Sequence, residues 1–423
     1  MKNLMMMPLL IFLSQARATE VAMNVEALKA KAFALCQQKQ YLAPQPVHIP
    51  LLDPPNGGLQ EVGMAYQEEL ALKTKNLLDQ QGFYFSPRPR AAVNSIPMDI
   101  YVDQNNSGVY QLKTWNDAEL DYSSPVIIPP IDKNLIPQEG RVLTELVIGH
   151  VSPQGDYPQL FDLRSSAYFR FAGYPPQITG ASLRLGANNI AGLGEDNKPG
   201  LREDFPVVRQ IYSSVKNEHT AKVLVLIESD LLCGALDMEM TEGQSTNVVV
   251  DSYWYMRRDF NWKQSPNTAF IAYSSMLWKT EMQTPENNRD EAHDSDTVRV
   301  NFANGVARKT DLQPPTDPNI AVSDLSSDVS SPVTSWSLAN EDRDPEHYAE
   351  FQPYLGTTNY PFRASYKVDV LESSVKTAVS LYLMEPDKEY KDNVVAAQVI
   401  RQDIPKAKGV NEAIHFKYRT TAY

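Results

Sequence analysis

The chain has 423 residues and a formal net charge of −13, with 52 acidic side chains against 39 basic ones. So acidic a chain is a poor partner for nucleic acid or an anionic membrane surface and suits a neutral ligand such as a glycan. No apolar run approaches the roughly 18 residues a membrane-spanning helix needs. There is also no phosphate-cradling loop, dinucleotide fingerprint or G-x-S-x-G elbow, which argues against nucleotide-driven chemistry.

The N-terminus reads as an export signal. Lys2 supplies the positive start, Met5 to Leu13 the apolar stretch, and Ala16-Arg17-Ala18 the small-x-small cleavage site. Cleavage after Ala18 moves the net charge from −13 to −15, because Lys2 and Arg17 leave without an acid. The expected product is a periplasmic protein of residues 19–423, read as one β-rich domain.

Asn24 to Gln38 carries Val25, Leu28, Ala32 and Leu35 at helical spacing behind an Asn cap, which predicts an amphipathic helix. Tyr41 to Gly58 is Pro-rich and extended, and Met64 to Leu78 offers a second, shorter helix. The texture then changes to β. Met98 to Val102 and Val109 to Trp115 flank Asn105-Asn106-Ser107-Gly108, a hairpin turn. Val223 to Ile227 is almost wholly apolar and reads as a strand buried on both faces. Val248 to Arg258 alternates, with Val248, Val250, Trp254 and Met256 on one face and Asp251, Tyr253, Tyr255 and Arg257 on the other. Asn304-Gly305 is a tight turn, and Leu312 to Pro332 a surface loop. Ala378 to Met384, Val394 to Ile400 and Ile414 to Thr420 read as a C-terminal meander. The class is mainly β: a large sandwich of antiparallel sheets with short helices confined to the N-terminal part. Cys36 and Cys233, the two cysteines, either form one disulfide in an oxidising compartment or stay as small buried thiols.

Two carboxylate-bearing segments stand out. One runs from Glu286 to Asp296 and contains His293-Asp294-Ser295-Asp296; the other spans Asp387 to Val395 and contains Asp392. A glycoside-cleaving site needs two such groups, one as acid and one as base. The acidic stretch could instead bind calcium or simply be solvated, but it lacks a D-x-D-x-D-G pattern. His48, His150, His219 and His415 show no metal-ligand spacing, so neither a metal nor a cofactor is expected. Tyr168, Phe169, Tyr253, Tyr255, Trp278 and Tyr348 are candidates for stacking on sugar rings, with most such aromatics expected to be packing and two or three to line a cleft. His293 could meet substrate, orient Asp294, or be a structural imidazole. Arg170 and Arg184 are expected to pair with an acid such as Glu203 or Asp204.

Five stretches in order resemble the periplasmic glucan biosynthesis proteins G and D, the MdoG family. They are Ala167-Tyr168-Phe169-Arg170 with Gly180-Ala181-Ser182-Leu183-Arg184; Arg202-Glu203-Asp204-Phe205-Pro206; Val249-Val250-Asp251 through Arg257-Arg258-Asp259; His293 to Asp296; and Asp392-Asn393-Val394-Val395. The resemblance implies a β-sandwich similar to galactose mutarotase, acting on osmoregulated periplasmic glucans with a β-1,2-linked backbone. It implies an inverting endo-β-1,2-glucanase in which Asp294 is the general base and Asp392 the general acid. Blocks that usually accompany the motifs are altered here, as at Asp342-Arg343-Asp344-Pro345. The chain stops at Tyr423, where the large domain ends, which implies a divergent relative without the family's C-terminal immunoglobulin-like module. A non-catalytic glucan-binding or assembly factor and a transglycosylase stay open as alternatives.

Overall fold

The computed structural model describes residues 20–38, 41, 78–80, 82–88, 96–116, 141–150, 159–171, 182–186, 204–243, 246–277, 297–311, 321–326, 328–339, 365–383 and 393–422. The elements run β1 (Glu20–Ala22), α1 (Val25–Cys36), β2 (Leu78–Gln80), β3 (Phe83–Arg88), β4 (Asp99–Val102), β5 (Val109–Lys113), β6 (Glu145–His150) and β7 (Gln159–Arg164). Then come β8 (Tyr168–Phe171), β9 (Ser182–Leu185), β10 (Val207–Asn217), β11 (Thr220–Glu228), β12 (Leu232–Thr241), β13 (Thr246–Met256) and β14 (Ala269–Leu277). The chain ends with β15 (Thr297–Phe302), β16 (Ala307–Asp311), β17 (Ala321–Asp324), β18 (Val333–Ala339), β19 (Ser365–Ser373), β20 (Thr377–Leu383), β21 (Asn393–Ile400) and β22 (Ile414–Ala422).

These strands build two large sheets. Twelve strands follow the order β1-β5-β4-β10-β11-β12-β13-β22-β19-β18-β15-β16, and ten follow β17-β20-β21-β14-β9-β8-β7-β6-β3-β2. The pairing is antiparallel except between β10 and β4. The sheets pack face to face: Phe270 of β14 stacks on Phe416 of β22, and Tyr273 of β14 meets Trp336 of β18 edge-on. The mainly β sandwich expected from the sequence is the fold observed.

The strands acquire their burial from what lies on each side. In β11, Val223, Val225 and Ile227 enter the core between the sheets, while Leu224 and Leu226 enter a second cluster on the outer face beneath α1. A strand with apolar layers on both sides has no polar face to show, which explains its continuous apolar run. The helix that covers it starts where expected, with Asn24 Oδ1 accepting a 2.9 Å hydrogen bond from the Ala27 amide. Leu28, Ala32 and Cys36, spaced by four, form its buried stripe.

Two expectations need correction. β22 does not extend the β20–β21 hairpin; it crosses to the twelve-stranded sheet and pairs with β13 and β19. Leu312 to Pro332 is not all loop, because β17 pairs there with β20. Of the two readings offered for the cysteines, this structure holds the second: Cys36 and Cys233 are buried thiols. Tyr41 to Gly58, after Tyr41, and the Met64–Leu78 helix, up to its last residue, lie outside the described residues; Leu78 itself opens β2.

One buried polar link ties the layers. The Trp336 indole Nε1 donates 3.0 Å to Gln398 Oε1 of β21, and Gln398 Nε2 donates 2.8 Å to Thr377 Oγ1. Gln398→Leu strands the indole N–H in the core and is expected to cost about 1–3 kcal/mol. Adding Trp336→Phe removes that donor, so the double variant should fall short of the summed single losses in urea unfolding.

Candidate functional site

Asp294, Asp392, His293, Trp278 and Tyr348 lie outside the described residues, but the strand ends that border them are described. Leu277, the residue before Trp278, pairs with Asn393, the residue after Asp392. Thr297, which follows Asp296, opens β15 and pairs with Ala339 at the end of β18, beyond which the segment containing Tyr348 begins. The first pair belongs to the ten-stranded sheet and the second to the twelve-stranded one.

Both pairs stand at the same end of the sandwich. Phe270 faces Phe416, whereas Tyr273, further along β14 toward Leu277, packs against Tyr366 of β19. Tyr366 in turn pairs with Ala422 at the close of β22, one register step from Ala339 and Ser365. Glu242, just past β12, joins the two layers at this end: its Oε1 is 3.5 Å from His150 Nε2 of β6 and 3.5 Å from His219 Nδ1 of the β10–β11 turn. Among the described residues no group of three or more His, Cys, Asp or Glu is arranged to hold a metal ion.

A second polar feature lies across the ten-stranded sheet, and the sequence reading missed it. The register lines up Arg88 with Glu145, Glu145 with Arg164, Arg164 with Tyr168, and Tyr168 with Arg184. In the neighbouring row Asp162 stands opposite Arg170. Two of the motifs, Tyr168 to Arg170 and Ser182 to Arg184, are thus brought together by strand pairing. Arg170 is set opposite an acid in the register, Asp162. Glu203 lies outside the described residues, and Asp204 hydrogen-bonds Ser229 near Asp230 and Arg258. Arg164 Nε reaches Glu145 Oε1 at 3.2 Å and Asp162 Oδ2 at 2.6 Å. The signal that could have revealed this cluster is Asp162 itself, an acid at an interior strand position between Phe161 and Leu163.

Burial, and then the charge of Glu145, push the Asp162 carboxyl up to about 8, against the pull of Arg164. The Asp162 carboxyl thus holds its proton more tightly in the fold than an exposed one would. An acid that holds its proton more tightly folded than unfolded contributes stability present below its unfolded value of 3.8 and lost as pH rises toward 8. Asp162→Asn, which is neutral throughout, is therefore expected to lose less stability than wild type between pH 5 and pH 8. Urea midpoints across that range read the difference; parallel curves would contradict it.

Tyr253 and Tyr255 do not join either feature. Their side chains lie on the outer face of the twelve-stranded sheet, where α1 docks. Tyr255 is 0% exposed, meets Phe33 at 5.7 Å between ring centroids and donates its hydroxyl to the Val410 carbonyl. No face of that ring is left for a sugar. Tyr253 is half-buried, stacked on His415 at 5.1 Å with the Lys29 ammonium 4.6 Å from its centroid. His415 Nε2 also contacts Asp251 at 2.7 Å. Burial would raise the Asp251 carboxyl, but hydrogen bonds from His415 and Lys417 outweigh it and hold it below its ordinary value. Phe169 is likewise core. The backbone of Tyr168 is placed in β8.

The fold is a two-sheet, mainly antiparallel β-sandwich in which the strand ends Leu277, Asn393, Thr297 and Ala339 stand at one end. The chain belongs to the family described as "Periplasmic glucan biosynthesis protein, MdoG", whose profile matches residues 154–423. The match takes in β7 to β22, and with it every motif singled out from Ala167 onward. The family is periplasmic and serves glucan biosynthesis. No protein of curated function matches the chain. No helix among the described residues is long and apolar enough to cross a membrane.

Proposed function

We propose that this protein, exported by a signal peptide over residues 1–18, is an inverting endo-β-1,2-glucanase acting on the backbone of periplasmic glucan. Asp392 is the general acid that protonates the departing glycosidic oxygen. Asp294 is the general base that takes a proton from the water attacking the opposite face of the sugar. Trp278, Tyr348 and Tyr168 are the aromatics proposed to stack on the glucan, with His293 beside the base. Neither step needs a cofactor.

The observation that supports this reading most is the convergence of strand ends. The Leu277–Asn393 pair stands one residue from Trp278 on one strand and from Asp392 on the other. The Thr297–Ala339 pair supplies the border of the Asp294 segment from the facing sheet at the same end. Family membership supports the substrate class. The test is to incubate the mature protein with linear β-1,2-glucan and analyse the products. Oligosaccharides whose new reducing ends carry the inverted anomer support the proposal. Longer chains formed alongside shorter ones indicate transfer to a sugar in place of water. Retained glucan binding without any cleavage indicates an assembly factor.

A further inference from the structure

The outer face of the twelve-stranded sheet carries an apolar cluster of its own, closed by α1, and both cysteines sit in it. Cys36 is the last residue of α1 and 1% exposed; Cys233 lies in β12 and is 0% exposed. The Cys36 Sγ stands 2.9 Å from the carbonyl oxygen of Tyr255. Tyr255 is the cross-strand partner of Cys233. Directly opposed residues of an antiparallel pair stand about 5 Å apart with their side chains on one face. The Cys36 sulfur therefore lies beside the strand pair that presents Cys233, and both cysteines belong to the one apolar cluster closed by α1.

Polar contacts on either side hold the helix in this register. Arg257 Nη1 donates 2.8 Å to the Leu35 carbonyl, Gln37 Nε2 donates 3.1 Å to the Ala407 carbonyl, and Lys31 Nζ donates 2.8 Å to the Tyr212 hydroxyl. Cysteines brought together in this way need side-chain rotation, not backbone movement, to reach the S–S bond length of about 2.05 Å.

We infer that Cys36 and Cys233 are joined as a disulfide when the protein folds in the periplasm, stapling α1 to the twelve-stranded sheet. The oxidant is a protein disulfide of the thiol–disulfide oxidase class. One cysteine thiolate attacks it to give a mixed disulfide, and the second thiolate displaces the oxidant as a dithiol. Two thiol protons and two electrons thus pass to the oxidant, whose own S–S bond breaks as one Sγ–Sγ bond forms. Burial pushes the Cys233 thiol up and disfavours its thiolate once the helix has docked. Once the bond has formed, the docked helix shields it from reductant. The inference rests on the family's periplasmic location and not on the cleavage chemistry.

The test compares the full chain secreted to the periplasm of a bacterial host with the same chain retained in a reducing cytoplasm. Each is unfolded in the presence of an alkylating reagent and mapped by mass spectrometry without reduction. The secreted chain should yield one linked peptide pair containing Cys36 and Cys233, with neither cysteine alkylated, and the cytoplasmic chain two alkylated cysteines. Reductant applied during thermal unfolding should lower the Tm of the secreted chain by about 5 °C. Cys233→Ala should unfold at one temperature with or without reductant. Full alkylation of both cysteines in the secreted chain, or linkage only between two chains, would overturn the inference.

Discussion

Asp392→Asn is expected to slow cleavage of β-1,2-glucan by about 10³-fold, because positioned general acids contribute roughly 10²–10⁴. The amide matches the carboxyl in size but has no proton to give the departing oxygen. The loss should fall on kcat and leave KM nearly unchanged, since the interaction removed is made in the transition state. Asp294→Asn should cost a similar factor for a different reason: the attacking water loses its proton acceptor. A substrate carrying an aryl leaving group separates the two roles. Such a group departs without protonation, so Asp392→Asn should recover much of its rate on it and Asp294→Asn should not. The pH profile separates them again. The acidic limb follows ionisation of the base and should flatten in Asp294→Asn, and the alkaline limb follows the acid and should flatten in Asp392→Asn. The double variant should be little worse than either single one, because acid and base act in one step. Wild-type cleavage that persists in both single variants would remove Asp294 and Asp392 from the mechanism.

Much of the fold was legible in the sequence, for reasons that particular strands make clear. The alternation of β13 survives intact: Val248, Val250, Trp254 and Met256 are core, and Asp251 and Tyr253 are half-exposed on the other face. Period two reports which face is dry, and it did so correctly here. It failed at Tyr255, which belongs by period to the polar face yet is fully buried. The cause is α1, which docks from more than two hundred residues away; periodicity carries no information about what will cover a face. The same blindness explains β22. A strand's pattern states that it pairs, not with which neighbour. The bridge between Phe260 and Ile404 and a short 3₁₀ turn at Val410–Glu412 lie on the path that takes the chain from β21 into the other sheet.

The candidate site divides along a similar line. Asp294 and Asp392 could be proposed from the sequence because each belongs to a short motif, and motifs are local. The pairing of Leu277 with Asn393, the last described residue before Trp278 and the first after Asp392, joins residues more than a hundred positions apart. The row through Arg88, Glu145, Arg164 and Tyr168 draws on four strands. Glycan stacking was equally beyond sequence alone for Tyr253, whose ring is held by His415 and Lys29. Aromatic residues look alike in a sequence whether they fill a core or face a ligand; neighbours decide.

Gly186→Ala is expected to destabilise the fold by about 3–4 kcal/mol, as the sum of two separable effects. Gly186 follows β9 in the ten-stranded sheet with φ +62°, a left-handed conformation that costs a residue with a Cβ about 1–2 kcal/mol. The added carbon would also stand 2.6 Å from Trp254 Cη2 and 3.3 Å from Leu232 Cδ1. The indole cannot retreat. On its other side Gly234 of β12 is so close that a Cβ there would lie 2.7 Å from Trp254 Cζ3. Its Nε1 is tied to Ser252 Oγ at 2.9 Å, and Ser252 Oγ donates to the Phe416 carbonyl. The indole is thus held between glycines of the two sheets at a point where they approach closely. Two controls isolate the contributions. Gly305→Ala has φ +81° but would meet nothing within 4 Å, so it should show the backbone strain alone. Gly234→Ala lacks a positive φ and should show overpacking alone, about 1–3 kcal/mol. Adding Trp254→Phe to Gly186→Ala gives the new methyl room and should return part of the packing loss and none of the strain. Equal losses for Gly186→Ala and Gly305→Ala in urea unfolding would show that the indole yields after all, and that the two layers are not locked at Trp254.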